Sequence, residues 1–355
     1  MKIALITDTH WGIRNDNVSF LNNNKRFLDE IFFKYIDDNS ITSVVHLGDL
    51  VDRRKYININ TARRLREDFL EPIHHRNLDF HLIAGNHDTY FKNTNEVNSL
   101  KELVQYQYPN FKIYDNVATT VQFDSTPILF IPWICDANRA ETMEVMNDTQ
   151  AQIAMGHLEL AGFAMYKGSM VSHGDDASLF DRFDLVMSGH YHHRSSNGHI
   201  FYLGSHAEFT WSDYNDPKGF HIFDTETREL TFIKNTFTMF EKVWYDDVTK
   251  GREPQGIDLS YLKDKIVKII VTNKSDPYLF DRFIDQIEKL GVLELQIVED
   301  HLNLGLIEDE TIVNEAEDTL TIFKKYIDTL DSKNINKQKL ESKIVELYNE
   351  ALTIE

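Results

Sequence analysis

Cysteine occurs once in 355 residues, at Cys135. A single thiol excludes an internal disulfide and every cysteine-rich zinc site. Its neighbours, Leu129-Phe130-Ile131-Pro132-Trp133-Ile134, mark it as a small buried hydrophobe. No apolar run approaches the ~20 residues that span a bilayer. The amino terminus turns polar after Ile3-Ala4-Leu5-Ile6, too short for a signal-peptide core. No membrane role is expected, and the reading is an intracellular, reducing, cytoplasmic compartment. Positive charge is also scarce: 37 Lys and Arg face 57 Asp and Glu, a formal net charge of −20. An acidic chain of this kind does not look like a free-standing nucleic-acid binder. If it acts on nucleic acid, a basic patch or a partner must supply most phosphate contacts. One stretch is locally basic: Arg53, Arg54, Lys55, Arg63, Arg64, Arg66 and Arg76 against Glu67, Asp68 and Glu71. A solvated helix face explains it equally well.

What the chain does have is a set of short apolar runs ending in polar groups. Ile3-Ala4-Leu5-Ile6 leads to Asp8-Thr9-His10, and Val44-Val45-His46-Leu47 to Gly48-Asp49-Leu50-Val51-Asp52. Phe80-His81-Leu82-Ile83-Ala84 leads to Gly85-Asn86-His87-Asp88. Ile153-Ala154-Met155 leads to Gly156-His157, and Leu185-Val186-Met187 to Gly189-His190-Tyr191-His192-His193. Such runs read as buried strands. Ligands of sheet proteins gather at strand carboxyl ends. Five strand tips could therefore bring Asp, His and Asn to one place.

Residues 1 to about 235 alternate strand-like and helix-like segments, which predicts an α/β sandwich. Phe27, Leu28, Ile31, Phe32, Tyr35 and Ile36 fall at helical spacing, as do Leu65, Phe69, Leu70 and Ile73. Composition shifts at Asp246 to Asp258, so we divide the chain there: 1–245 as the main domain and 246–257 as a linker. A small strand-helix-strand unit follows at 258–302, built on Ile266–Val271, Tyr278–Leu290 and Val292–Val298. Residues 315–355 read as two helices, with apolar stripes Leu320-Phe323-Ile327-Leu330 and Leu340-Ile344-Leu347-Ala351.

Asp8 and His10 are two apart, so on an extended chain they point the same way. Carboxylate with imidazole suits manganese, iron or zinc. The two oxygens of Asp49 could bridge two ions. Asn86 offers an amide oxygen, and His157, His190 and His192 offer imidazoles. One Asp-x-His alone means little; five such tips in order are hard to produce by accident.

The ordered set Asp-x-His, Gly-Asp-x-x-Asp, Gly-Asn-His-Asp, Gly-His, Gly-His-x-His resembles that of the calcineurin-like metallophosphoesterases, over residues 8 to 192. The resemblance implies a four-layer α/β/β/α sandwich with a small α/β cap domain and a C-terminal helical hairpin. It implies two divalent metal ions, expected to be manganese. Asp8, His10, Asp49 and His192 would hold one, and Asp49, Asn86, His157 and His190 the other. His87 would face the leaving group, Asp52 would orient His87, and Arg53 would bind substrate phosphate. Within this superfamily, Gly48 to Arg53 is similar to the phosphoprotein phosphatase box, but Arg54 stands where those enzymes carry Gly.

The paired histidines at His190 and His192, Ile131-Pro132-Trp133, Tyr202-Leu203-Gly204-Ser205 and Asn215-Asp216-Pro217-Lys218-Gly219-Phe220 resemble instead the SbcD-type DNA repair and recombination nucleases, notably the phage versions. Asp52 departs from several cellular members, which carry a histidine there. That resemblance implies a manganese-dependent DNA nuclease subunit in the host cytoplasm. Its partners would be DNA and an SbcC-type, SMC-like ATPase held by the C-terminal helices, the nuclease forming a homodimer within a heterotetramer. The ATPase would supply much of the DNA-binding surface. The alternatives are a phosphomonoesterase or phosphoprotein phosphatase, and a scaffold without activity, although no ligand is missing.

Overall fold

The computed structural model describes residues 1–105, 107–249 and 256–299. The expected helical segment at 315–355 lies outside them, as do 250–255 of the expected linker and the last three residues of the expected cap.

Four parallel strands form one side of the first sheet: β1 (Lys2–Ile6), β2 (Ser43–His46), β3 (Asp79–Ile83) and β4 (Phe111–Tyr114) at its edge. The second sheet contains β5 (Thr119–Phe123), β6 (Thr126–Ile131), β7 (Ile153–His157), β10 (Leu185–Gly189), β11 (Ser195–Asn197) and β12 (Ile200–Tyr202). Between them in sequence, β8 (Ala164–Tyr166) and β9 (Ser169–Met170) form a separate hairpin. The chain then returns to the first sheet with β13 (Gly219–Asp224) and β14 (Leu230–Lys234). The orders are β14-β13-β1-β2-β3-β4 and β11-β12-β10-β7-β6-β5. In the first sheet β1 to β4 run parallel, and in the second β6, β7, β10 and β12 do, so within each set the carboxyl ends share one edge.

The two sheets pack face to face. Ile3, Leu5, Val45, Leu47 and Ile83 of one meet Ile128, Phe130, Ile153, Met155 and Met187 of the other. On the outer face of the first sheet lie helical segments at 18–38 and 59–75, each carrying one π turn. Of the stripe expected there, Phe27, Leu28, Phe32, Ile36, Leu65, Phe69, Leu70 and Ile73 are buried. The helix Arg139–Asp148 covers the second sheet through Thr142 and Met146. These are the four layers that the resemblance implies, and the α/β sandwich that the strand-helix alternation predicts.

The small unit departs from the expected division. Its sheet has three parallel strands: β15 (Phe240–Asp246), β16 (Ile266–Asn273) and β17 (Glu294–Glu299). The first lies almost entirely in the stretch assigned to the main domain, 1–245. Val243 and Tyr245 turn toward the helix Pro277–Lys289, where Tyr245 meets Phe280 and Phe283 at 4.9 and 5.1 Å. The compositional shift at Asp246 marks the loop after a strand, not the edge of the unit. Among the described residues no helix is long and apolar enough to cross a membrane.

Candidate metal centre

The parallel strands deliver their polar tips to one edge. Asp8 and His10 follow β1, Asp49 follows β2, Asn86 and His87 follow β3, His157 ends β7, and His190 and His192 follow β10. Asp8, His10, Asp49 and His157 are buried, whereas Asn86, His87, His190 and His192 are half-buried and form the open side. Asp8, His10, Asp49 and His190 adopt positive φ values of 51°, 41°, 57° and 86°. Such backbone costs about 1–3 kcal/mol per residue and persists where tertiary contacts impose it. Here the contacts are visible: Asp8 N donates to Gly48 O at 3.0 Å, His10 N to Asp49 O at 3.1 Å, and His190 N to the Asp8 carboxylate at 3.1 Å.

The polar atoms of these side chains crowd together at hydrogen-bond distances. His10 Nε2 lies 3.1 Å from His192 Nε2. Asn86 Oδ1 lies 2.9 Å from His157 Nε2 and 3.0 Å from His190 Nδ1. Asp49 Oδ2 is 3.3 Å from His157 Nε2 and 3.7 Å from His10 Nε2. Three groups have donor atoms within 4.8 Å of one another: Asp8, His10 and His192; His10, Asp49 and His87; Asp49, His157 and His190. Asp49 belongs to two of them.

The charges are set by burial and by Asp49. Burial, reinforced by His157, pushes His190 down to about 3, and burial with His10 holds His192 well below the usual imidazole range. Both are therefore neutral, as metal ligands must be. Burial works against protonating His157, yet the Asp49 carboxylate raises it to about 9. Burial likewise opposes ionising Asp49, but His157 overrides it and holds the carboxyl well below its usual range. Hard carboxylates, an amide oxygen and imidazoles around a shared Asp49 are a donor set that fits two divalent ions.

Asp52 and Arg53 make contacts other than the expected ones. Asp52 does not aim its carboxylate at His87. Its backbone carbonyl accepts from His87 Nδ1 at 2.5 Å, while its Oδ1 sits 3.4 Å from His10 Nδ1. The cause is backbone pairing: Asp52 N donates to Trp11 O, tying Asp52 to the strand end that carries His10. Arg53 donates to Asp16 Oδ2 at 2.7 Å and Asn15 Oδ1 at 2.8 Å, so its guanidinium is already engaged. The locally basic stretch is largely paired as well. Arg63 meets Glu67, Arg64 meets Asp68, Arg66 meets Glu71 and Arg76 meets Asp37.

Sequence reasoning missed Asp88. Its buried carboxylate accepts from the N–H groups of Asp49 (2.9 Å), Leu50 (3.0 Å), Val51 (3.3 Å) and Gly85 (2.9 Å). It thereby locks the loop after β2 to the loop after β3. Its place in Gly-Asn-His-Asp is the only signal in the sequence. Lys218 is a second case: buried, it donates to His192 O at 2.7 Å while paired with Asp213 and Asp216.

Comparison with known proteins agrees with this geometry. The calcineurin-like phosphoesterase profile matches residues 1–194. Exonuclease subunit 1 of Enterobacteria phage T4 is 33% identical over 99% of both chains. The SbcD component of the SbcCD nuclease of Staphylococcus saprophyticus is 23% identical, over 95% of this chain and 97% of that one. The DNA double-strand break repair protein Mre11 of Sulfolobus acidocaldarius is 25% identical, over 55% of this chain and 50% of that one. The chain belongs to the calcineurin-like phosphoesterase family, whose members are metal-dependent, and within it to the branch of SbcD- and Mre11-type nucleases.

Proposed function

We propose that the chain is the nuclease subunit of a DNA recombination and repair complex, hydrolysing phosphodiesters with two divalent ions, manganese in preference to magnesium. The observation that carries this is the convergence of oxygen and nitrogen donors around the shared Asp49 carboxylate. Asp8, His10, Asp49 and His192 would hold one ion, and Asp49, Asn86, His157 and His190 the other. Such a pair supplies an acidified water and neutralises charge developing on the phosphoryl oxygens.

The chain's own groups do the rest. Asp52 O accepts from His87 Nδ1, which leaves Nε2 free to carry a proton. As water oxygen bonds to phosphorus and the bond to the leaving sugar oxygen breaks, His87 passes its proton to that oxygen. Asp52 Oδ1 orients His10 from behind. The names of the bacterial and archaeal relatives support DNA as substrate and a larger nuclease complex as setting. An SbcC-type ATPase docked on residues 315–355 would supply DNA-binding surface that a chain of net charge −20 lacks.

The test is cleavage of single- and double-stranded DNA by the purified chain in manganese and in magnesium, with and without the ATPase. Manganese-dependent cutting is expected. Hydrolysis of phosphomonoesters with no cutting of DNA under any of these conditions would move the reading to a phosphatase.

A further inference from the structure

Arg54 stands out among the cations around the metal centre. Its neighbour Arg53 is bound to Asp16 and Asn15. The arginines of the following helical segment, Arg63, Arg64 and Arg66, are each paired with a carboxylate. Arg54 is half-buried, and its Nη1 is shielded from water with no hydrogen-bond partner among the described residues. Withdrawal from water without a partner is unfavourable for any guanidinium, and the cost is offset when an anion arrives. Among the described residues the charge that acts favourably on Arg54 is the Asp49 carboxylate, so the guanidinium lies in the field of the metal centre.

That carboxylate is not the anion Arg54 awaits. Asp49 is already committed to His157 at 3.3 Å, and its Oδ1 accepts from His87 N at 2.8 Å. With divalent ions bound, the charge of Asp49 would be neutralised further and Arg54 would lose that counter-charge. The loop running from Asp49 through Asp52 to Arg54 therefore carries a half-buried guanidinium, its Nη1 without a partner among the described residues, close behind the residues of the metal centre. Guanidinium is suited to phosphate because its planar fork offers parallel N–H donors.

We propose that Arg54, not Arg53, grips a non-bridging phosphate oxygen of the nucleic-acid backbone at or beside the scissile position. The proposal deepens the nuclease reading and rests on it for the identity of the phosphate. Arg54 is then a substrate-binding residue: it takes no proton and holds no metal. A neutral replacement should weaken substrate without removing ions. Lys at this position keeps the charge and loses the fork.

The experiment uses the full chain as wild type, R54A, R54Q, R54K and R63A. Binding of a labelled single-stranded oligonucleotide is measured by fluorescence anisotropy in EDTA, where no cutting occurs, across a salt series. Each phosphate contact contributes about 0.7 to the slope of log affinity against log salt on single strands. R54A and R54Q should each lower the slope magnitude by about that amount, whereas R54K and R63A should keep the wild-type slope. In manganese, kcat/KM on the same oligonucleotide should fall about 10- to 100-fold in R54A, chiefly through KM. Manganese stoichiometry and unfolding temperature should be unchanged. A wild-type slope in both R54A and R54Q would overturn the proposal, as would loss of an ion in R54Q. If R54A does not fold, the R54Q and R54K comparison decides alone. Bis(4-nitrophenyl) phosphate separates the two readings. If wild type leaves DNA intact but R54Q raises KM for this diester, the nuclease reading falls and the phosphate grip stands. If wild type cuts DNA and R54Q matches it, only the role of Arg54 falls.

Discussion

Gly85→Ala is a direct test of how tightly the centre is built. Gly85 has no positive φ, so alanine brings no backbone strain. The effect is purely steric. A Cβ at this position would collide with Asp49 Oδ1 and the Asp49 backbone nitrogen, and would lie 2.9 Å from Asp49 Cγ. Carbon atoms rest about 3.5–4.0 Å apart, so Asp49 must retreat by at least about 0.5 Å. No flexible end can absorb this. Asp49 N is held by Asp88 Oδ2 at 2.9 Å, and Asp49 Oδ1 by His87 N at 2.8 Å. Overpacking of this kind costs about 1–3 kcal/mol. At roughly 2–4 °C per kcal/mol for a domain of this size, the metal-free protein should unfold a few degrees lower. The functional loss should be larger. A displacement approaching 1 Å at a reacting centre costs on the order of 100-fold in rate, and here it strikes the residue shared by both proposed metal sites. The assays are thermal unfolding without metal, manganese stoichiometry by calorimetry, and diester hydrolysis. A variant that binds two ions with wild-type affinity and turns over within tenfold of wild type would refute the geometry around Asp49.

Metal affinity should rise with pH. In the metal-free protein Asp49 raises His157 to about 9, so this imidazole must lose a proton to become a ligand. The sign follows: its protonated pairing contributes stability fully below the unfolded value near 6.5, and this is lost as pH rises through about 9. Calorimetry should therefore show proton release on manganese binding and affinity gaining up to about tenfold per pH unit below 9. His87→Asn should keep both ions and lose about 10²–10⁴-fold in turnover, as expected for an acid. Loss of an ion would instead make His87 a ligand, a role that its grouping with His10 and Asp49 leaves open. Truncation after Asn314 should retain manganese-dependent cutting of single strands and abolish association with the ATPase in a pull-down. Equal binding by the shortened chain would contradict docking through 315–355.

Much of the centre was legible in the sequence because its chemistry is local. A buried strand ending in Gly and a carboxylate or imidazole is written in a few consecutive residues, as in Val44 to Asp49 or Leu185 to His190. Amphipathic spacing likewise announced Phe27 to Ile36 as a helix face, since burial on one side follows from the helical repeat. Residue types alone also bounded the ions, through hard oxygens mixed with imidazoles and the lack of cysteine. What only the tertiary structure decided depends on which atom of a side chain meets which partner far along the chain. Arg53 is bound 37 residues back to Asp16 while Arg54 Nη1 has no partner among the described residues, although the two are adjacent and identical in type. Asp52 turns its carboxylate to His10 and its carbonyl to His87 because its backbone pairs with Trp11. Asp88 gathers four N–H groups from two loops that no local pattern connects. β15 joins the small sheet because β16 pairs with it, and strand pairing across a loop is a long-range choice. Periodicity records which face of an element is buried; it carries no record of the neighbour that buries it.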